Sequence, residues 1–119
     1  MSHLDRANAV ERAICKLTGE VYINDMADAV DSRGRFREIK SIMETVEGGT
    51  RRGRVRFKPG QLQWLKERGS VVSIVIETED HRFLHYEIDA GRIPGEHVSV
   101  ASIIKAGAVF TGCVIVEGF

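Results

Sequence analysis

Val71-Val72-Ser73-Ile74-Val75-Ile76 is almost continuously apolar and dominated by β-branched side chains, between Gly69-Ser70 and Thr78-Glu79-Asp80. A strand that alternated between core and solvent would show polar residues at every second position. This one shows a single serine, as expected of a strand at the centre of a sheet covered on both faces by helices. The expected fold class is therefore α/β, built around this strand.

The surrounding segments supply the other layers. Ala7, Val10, Glu11, Ile14 and Leu17 recur at three- and four-residue spacing, which predicts an amphipathic helix from about Leu4 to Thr18, closed by Gly19. Glu11 is the anomaly on its buried stripe. A short strand is expected over Glu20 to Ile23, then two strands, Ala27 to Val30 and Arg35 to Ile42, joined around Ser32-Arg33-Gly34. Arg54-Val55-Arg56-Phe57-Lys58 alternates as a short strand or extended lead-in to the next element. Pro59 suits a first helical turn, and Gln61 to Arg68 reads as a helix ended by Gly69. Arg82 to Ile88 places Leu84, Tyr86 and Ile88 on one side of an antiparallel return strand. A turn around Gly91 to Gly95, a short helix over Val98 to Lys105 with Ser99 near its cap, and a last strand over Ala108 to Val116 complete the chain.

At 119 residues, 43% apolar and 29% charged, the chain is expected to form one domain, residues 1–119, with its site on a single core. No apolar run is long enough to cross a bilayer, and Met1-Ser2-His3-Leu4-Asp5-Arg6 lacks a basic-then-apolar leader pattern, so the expected compartment is the cytoplasm with no membrane partner. Cys15 and Cys113 both read as buried small hydrophobes, without a Cys-x-x-Cys pair.

The formal net charge is zero, which argues against a chain that coats nucleic acid through its overall field. The charge is unevenly spread, however. Between Arg33 and Lys58 nine basic residues face three acidic ones, Glu38, Glu44 and Glu47. The same region holds the chemically suggestive constellation: Asp28 ahead of a Gly-containing turn, then Glu38-Ile39-Lys40 on the returning strand. Period-two alternation brings Glu38 and Lys40 out on one face. Two carboxylates can share a hard cation through oxygen ligands, and an ammonium beside them suits phosphodiester chemistry. A nuclease is the leading reading.

The leading helix with an inward Glu, the Asp before a hairpin turn, Glu-x-Lys on the second strand, and then a basic segment, a helix and a buried strand together span about Ala7 to Glu77. In this order they resemble the PD-(D/E)XK nuclease superfamily, whose restriction-endonuclease-like fold includes small Holliday junction resolvases. The resemblance implies an αβββαβ core with a mixed β-sheet flanked by helices. It implies that Asp28 and Glu38 hold Mg²⁺ or Mn²⁺, that the backbone carbonyl of Ile39 completes the coordination, that Glu11 supplies a further carboxylate to the metal or its waters, and that Lys40 stabilises developing charge or orients water. The motif's proline is absent, because Ala27 precedes Asp28. Asp31 is the rival for the first ligand, but its place beside Ser32-Arg33-Gly34 fits a turn residue bonding nearby backbone amides.

Gln61 opens the second helix where some relatives place a residue near the phosphate; the alternative is that it fills the exposed helix face. Trp64, next to Leu62 and Leu65, is expected to pack into the core rather than stack on a base. Arg51, Arg52, Arg54, Arg56 and Lys58 are expected to contact phosphates, with Gly48, Gly49 and Gly53 letting the loop come close; the alternative is a charge-protected strand edge. His81 and His85 would lie roughly 13 Å apart along a turn and strand, too far to share a metal. His3 and His97 have no evident partner.

The expectation is thus a Mg²⁺-dependent DNA endonuclease acting on branched or duplex DNA. A homodimer is implied, because two cuts need two sites. The alternatives are a non-catalytic nucleic-acid-binding module, or an interaction subunit with the same fold.

Overall fold

A computed structural model describes residues 3–23, 26–43 and 53–118. The chain runs α1 (His3–Thr18), β1 (Val21–Tyr22), β2 (Ala29–Val30), β3 (Phe36–Met43), β4 (Arg54–Arg56), α2 (Gln61–Glu67), β5 (Val71–Glu77), β6 (Phe83–Asp89), a 3₁₀ turn (Ala90–Arg92), β7 (His97–Ser99), α3 (Val100–Lys105) and β8 (Val109–Cys113). Six strands form one mixed sheet in the order β1-β2-β3-β5-β6-β8. Only β3 and β5 run parallel; the other neighbours are antiparallel. The parallel pair needs a crossover, and α2 supplies it.

Every residue of β5 is buried, as its apolar run requires. The register sorts the two faces: Glu38 lies beside Val72 and Lys40 beside Ile74, while Val72 and Ile74 lie beside Ile88 and Tyr86 of β6. This face packs against Leu62 and Leu65 of α2, Ile93, and Val100 and Ile103 of α3. The opposite face presents Ile39, Val75 and Phe83 to Ala9, Val10 and Ile14 of α1. Each such fully buried side chain contributes about 1.5–3 kcal/mol. The protein is a mixed sheet flanked by helices on both faces, and none of the described helices is long and apolar enough to cross a membrane.

Local signals hold well. Gly19 takes a left-handed φ of 75° and returns its N–H to the Cys15 carbonyl at 2.9 Å, ending α1. Ser99 caps α3, accepting from the Ser102 N–H at 3.2 Å. Two expectations change, and strand β4 takes a place the sequence left open. The segment read as one helix from Val98 opens as strand β7 and turns helical only at Val100, because Val98 pairs with Val55. Strand β4 leaves the main sheet and joins β7 in a two-stranded ribbon. Cys113 is exposed and Cys15 half-buried, since β8 is an edge strand whose residues are largely solvent-facing.

Candidate active site

The β2–β3 hairpin builds the first half of the site. Asp31 Oδ1 accepts the N–H groups of Arg33 and Arg35 at 2.8 and 2.9 Å, and Gly34 N–H reaches the Asp31 carbonyl at 3.1 Å. Those backbone donors, Arg35 first, hold the Asp31 carboxyl below its ordinary range. It is a turn residue, as its position suggested. Asp28 sits one residue ahead of β2, donating its N–H to the Arg37 carbonyl at 3.0 Å and accepting from Ile23 N–H at 2.8 Å. Where β2 no longer offers a carbonyl, Asp28 Oδ2 accepts the Ile39 N–H at 2.9 Å. The Asp28 side chain is thereby drawn to Glu38, its cross-strand neighbour.

Glu38 is 5% exposed. Its Oε2 accepts from Gln61 Nε2 at 2.6 Å and pairs with Lys40 Nζ at 2.9 Å. It also shares a side-chain hydrogen bond with Asp28. Burial first, and then the hydrogen bond and charge of Asp28, push the Glu38 carboxyl up to about 8, against the opposing pull of Lys40. In an ordinary two-residue ion pair the carboxyl would move the other way. Two acids crowded at one buried point, one of them retaining its proton, form a donor set whose repulsion a divalent cation would relieve. The chemistry of the pair therefore fits such an ion, and the donors from Gln61, Lys40 and Ile39 all fall on Glu38 Oε2 and Asp28 Oδ2. Glu38 Oε1 and Asp28 Oδ1 receive none of them.

Glu11 reaches toward this pair from α1. It is half-buried, and burial followed by the Asp28 charge raises its carboxyl, while the Tyr22 hydroxyl donates to it. Among the described residues no group of three or more His, Cys, Asp or Glu side chains converges as a metal-binding set. Glu11 thus stands outside the Asp28–Glu38 pair. Tyr22, on a two-residue strand with no motif around it, gave no signal in the sequence. Ile39 buries its side chain beneath α1, opposite Glu38, as alternation requires.

Gln61 is not on the exposed face of α2. It is 4% exposed and its amide is fully engaged: Nε2 also donates to the Met26 carbonyl at 3.0 Å, while Oε1 accepts from Lys58 N–H at 3.1 Å and Lys40 Nζ at 3.3 Å. Lys40 Nζ lies 4.9 Å from the Phe57 ring centroid. Trp64 packs partly buried against Phe36, with ring centroids 4.9 Å apart, as the core reading expected.

The basic stretch divides. Arg35 pairs with Asp89 at 2.8 Å, and Arg37 is buried on the α1 face, where it meets Glu20 at 2.8 Å, Glu87 at 3.2 Å and Ser73 Oγ at 2.6 Å. Neither charge is free for a phosphate. Arg54, Arg56 and Lys58 are exposed. Arg51, Arg52, Gly48 and Gly49 lie outside the described residues. Gly53 is buried with its Cα against the Met43 carbonyl, a close approach to the protein's own backbone rather than to a ligand. No protein-family model and no curated protein matches the sequence.

Proposed function

We propose that the protein is a divalent-metal-dependent DNA endonuclease, with α1, β1, β2, β3, α2 and β5 forming a restriction-endonuclease-like core. The observation that carries the reading is the meeting of Asp28, Glu38 and Lys40 at one buried point with the Glu38 carboxyl held up to about 8. Asp28 and Glu38, with the Ile39 carbonyl, are the groups that would hold Mg²⁺ or Mn²⁺, and Glu11 would serve the waters bound to the ion. The ion would supply Lewis-acid polarisation of the phosphoryl oxygens and a lowered water pKa. Lys40, kept on the same face by the β3 pleat, offers a compact positive charge for the pentacoordinate phosphorane's oxygens. Gln61 fixes both Glu38 and Lys40, which makes it a positioning residue. A homodimer would present two such sites to the two strands of a junction or duplex; sedimentation velocity tests that assembly.

The deciding experiment incubates the pure protein with labelled four-way junction, duplex, flap and single-stranded DNA in Mg²⁺, Mn²⁺ or EDTA. Metal-dependent cleavage is expected, reduced by at least about a hundredfold in Glu38→Ala and Lys40→Ala, the scale of losing a group that stabilises developing charge. Salt-sensitive binding without cleavage would replace this reading with a non-catalytic binding module. Absence of both binding and cleavage would leave a protein-interaction subunit.

A further inference from the structure

The β4–β7 ribbon carries a cluster that the catalytic constellation does not use. In its register Val55 lies opposite Val98, both buried in the core, so Arg54 and Arg56 on β4 and His97 on β7 project from the other, exposed face. The two guanidinium groups converge: Arg54 Nε lies 3.1 Å and Arg56 Nε 3.2 Å from the same atom, His97 Nε2. A single neutral nitrogen lone pair is thus the acceptor for two cations. Among the described residues neither arginine forms an ion pair with a carboxylate. The nearest acid in sequence, Glu96, turns away and accepts from Gly60 N–H at 3.2 Å. Helix α3, packed against β7, carries one charged residue, Lys105, in its last turn. Beyond Arg56 the chain adds Lys58, also exposed. Positive charge focused on one surface point without an anion is the arrangement that arginine forks make around phosphate oxygens.

We infer that Arg54, Arg56 and His97 form a clamp for one backbone phosphate of bound nucleic acid, with His97 taking up a proton as the phosphate arrives. The inference rests on the nucleic-acid substrate of the proposed function and names a contact beyond its catalytic residues. Chain order supports it: directly after β4 the Phe57 ring lies 4.9 Å from Lys40 Nζ and the Lys58 N–H bonds Gln61, so the segment carrying the clamp runs straight into the helix whose Gln61 holds Glu38. In the free protein slight desolvation, then the charges of Arg56 and Arg54, hold the His97 pKa below its ordinary value, which favours the neutral ring. A phosphate placed among the three groups reverses that field and makes the charged ring a donor. Proton uptake and phosphate binding are then linked, and affinity must fall as pH rises between the free and bound pKa values.

The test measures affinity for a fluorescent oligonucleotide duplex in EDTA, by anisotropy, across pH and salt, with metal-dependent cleavage of the same duplex measured in parallel. Wild-type affinity is expected to weaken with rising pH by no more than about tenfold per pH unit, the limit for one proton. His97→Gln flattens that dependence, whereas Arg54→Ala and Arg56→Ala together lower the slope of log affinity against log salt by about one. Circular dichroism verifies that these surface variants fold. Cleavage that persists while all three variants keep wild-type pH and salt slopes overturns the clamp and leaves the nuclease reading intact. The expected slopes without cleavage support the clamp and remove the catalysis. A protein that neither binds nor cleaves the duplex overturns both.

Discussion

The Glu38 carboxyl makes the sharpest claim about the site, because its proton is coupled to folding. Its folded pKa is raised from 4.5 to about 8 by burial and by Asp28. An acid with a raised folded pKa contributes stability that is complete below its unfolded pKa and is lost as pH climbs through the folded one. Folding stability should therefore decline with pH at up to about 1.4 kcal/mol per unit, the limit for one proton. The burial-lowered His85 works in the opposite sense, adding stability as pH rises toward 6.5, so the clean window is from 6.5 to 8. The slope flattens as Glu38 ionises near its upper end. The net loss across this window is about 1–2 kcal/mol, which in urea moves the midpoint by roughly 1 M for a chain of this size. Glu38→Gln keeps an oxygen to accept from Gln61 and Lys40 but has nothing to titrate, so its stability should be flat over the same range. Mg²⁺ should flatten the wild-type profile as well, since an ion bound to the ionised pair adds about 2.7 kcal/mol at a hundredfold excess over its dissociation constant. Urea unfolding followed by tryptophan fluorescence, with and without Mg²⁺, reads all of this. Parallel slopes for wild type and Glu38→Gln would refute the crowded-carboxyl argument; a wild-type slope indifferent to Mg²⁺ would refute the metal-site reading built on it.

Two further outcomes follow from burial and approach distances. Gln61→Ala should destabilise by about 2–3 kcal/mol, because it strips partners from a buried carboxyl, a backbone N–H and a carbonyl at once. Gln63→Ala, on an exposed position with one hydrogen bond to Glu67 at 3.1 Å, should stay within about 0.5 kcal/mol; equal urea midpoints for the two variants would contradict the placement of Gln61. Gly53→Ala drives a Cβ into the Met43 carbonyl and should cost about 1–3 kcal/mol. Gly91→Ala, which meets open space, should be close to neutral, and thermal melts of the pair compare them directly.

The periodicities carried the architecture because each depends only on neighbours in the chain. Alternation put Glu38 and Lys40 on one face and Ile39 on the other, and turn chemistry separated Asp31 from Asp28. What stayed hidden depends on partners far along the chain. Arg37 counts as part of a basic patch until β3 is placed beside β5 and β6, when Glu20 and Glu87, 17 and 50 residues away, neutralise it. Gln61 looks like surface until α2 lands over β3. His97 acquires its two arginines only because β4 leaves the main sheet for β7, and Cys113 is exposed only because β8 finds no further neighbour. An alternating pattern identifies a strand, but not what covers it.

Arg37 and Glu38 bring these threads to one place. They are consecutive, both buried and both charged types, and the pleat sends them to opposite faces of the sheet. Under α1, burial opposes the Arg37 charge, yet Glu20 and Glu87 more than offset it and hold the guanidinium above its ordinary range. That face is electrically complete, with Ser73 Oγ passing a further hydrogen bond to His85 Nε2 at 2.9 Å. On the α2 face Glu38 has one cation, Lys40, and a competing acid, Asp28, so its charge is left uncompensated and its proton retained. Solving both charges in the same way would need one more basic side chain near Asp28. Arg35 instead pairs with Asp89 at 2.8 Å, and Arg33 joins the Asp31 turn through its backbone N–H with its side chain exposed. The fold thus neutralises one of two adjacent buried charges and leaves its neighbour short of a cation. The ion-paired arginine and the proton-bearing glutamate are two outcomes of a single strand crossing a two-faced core.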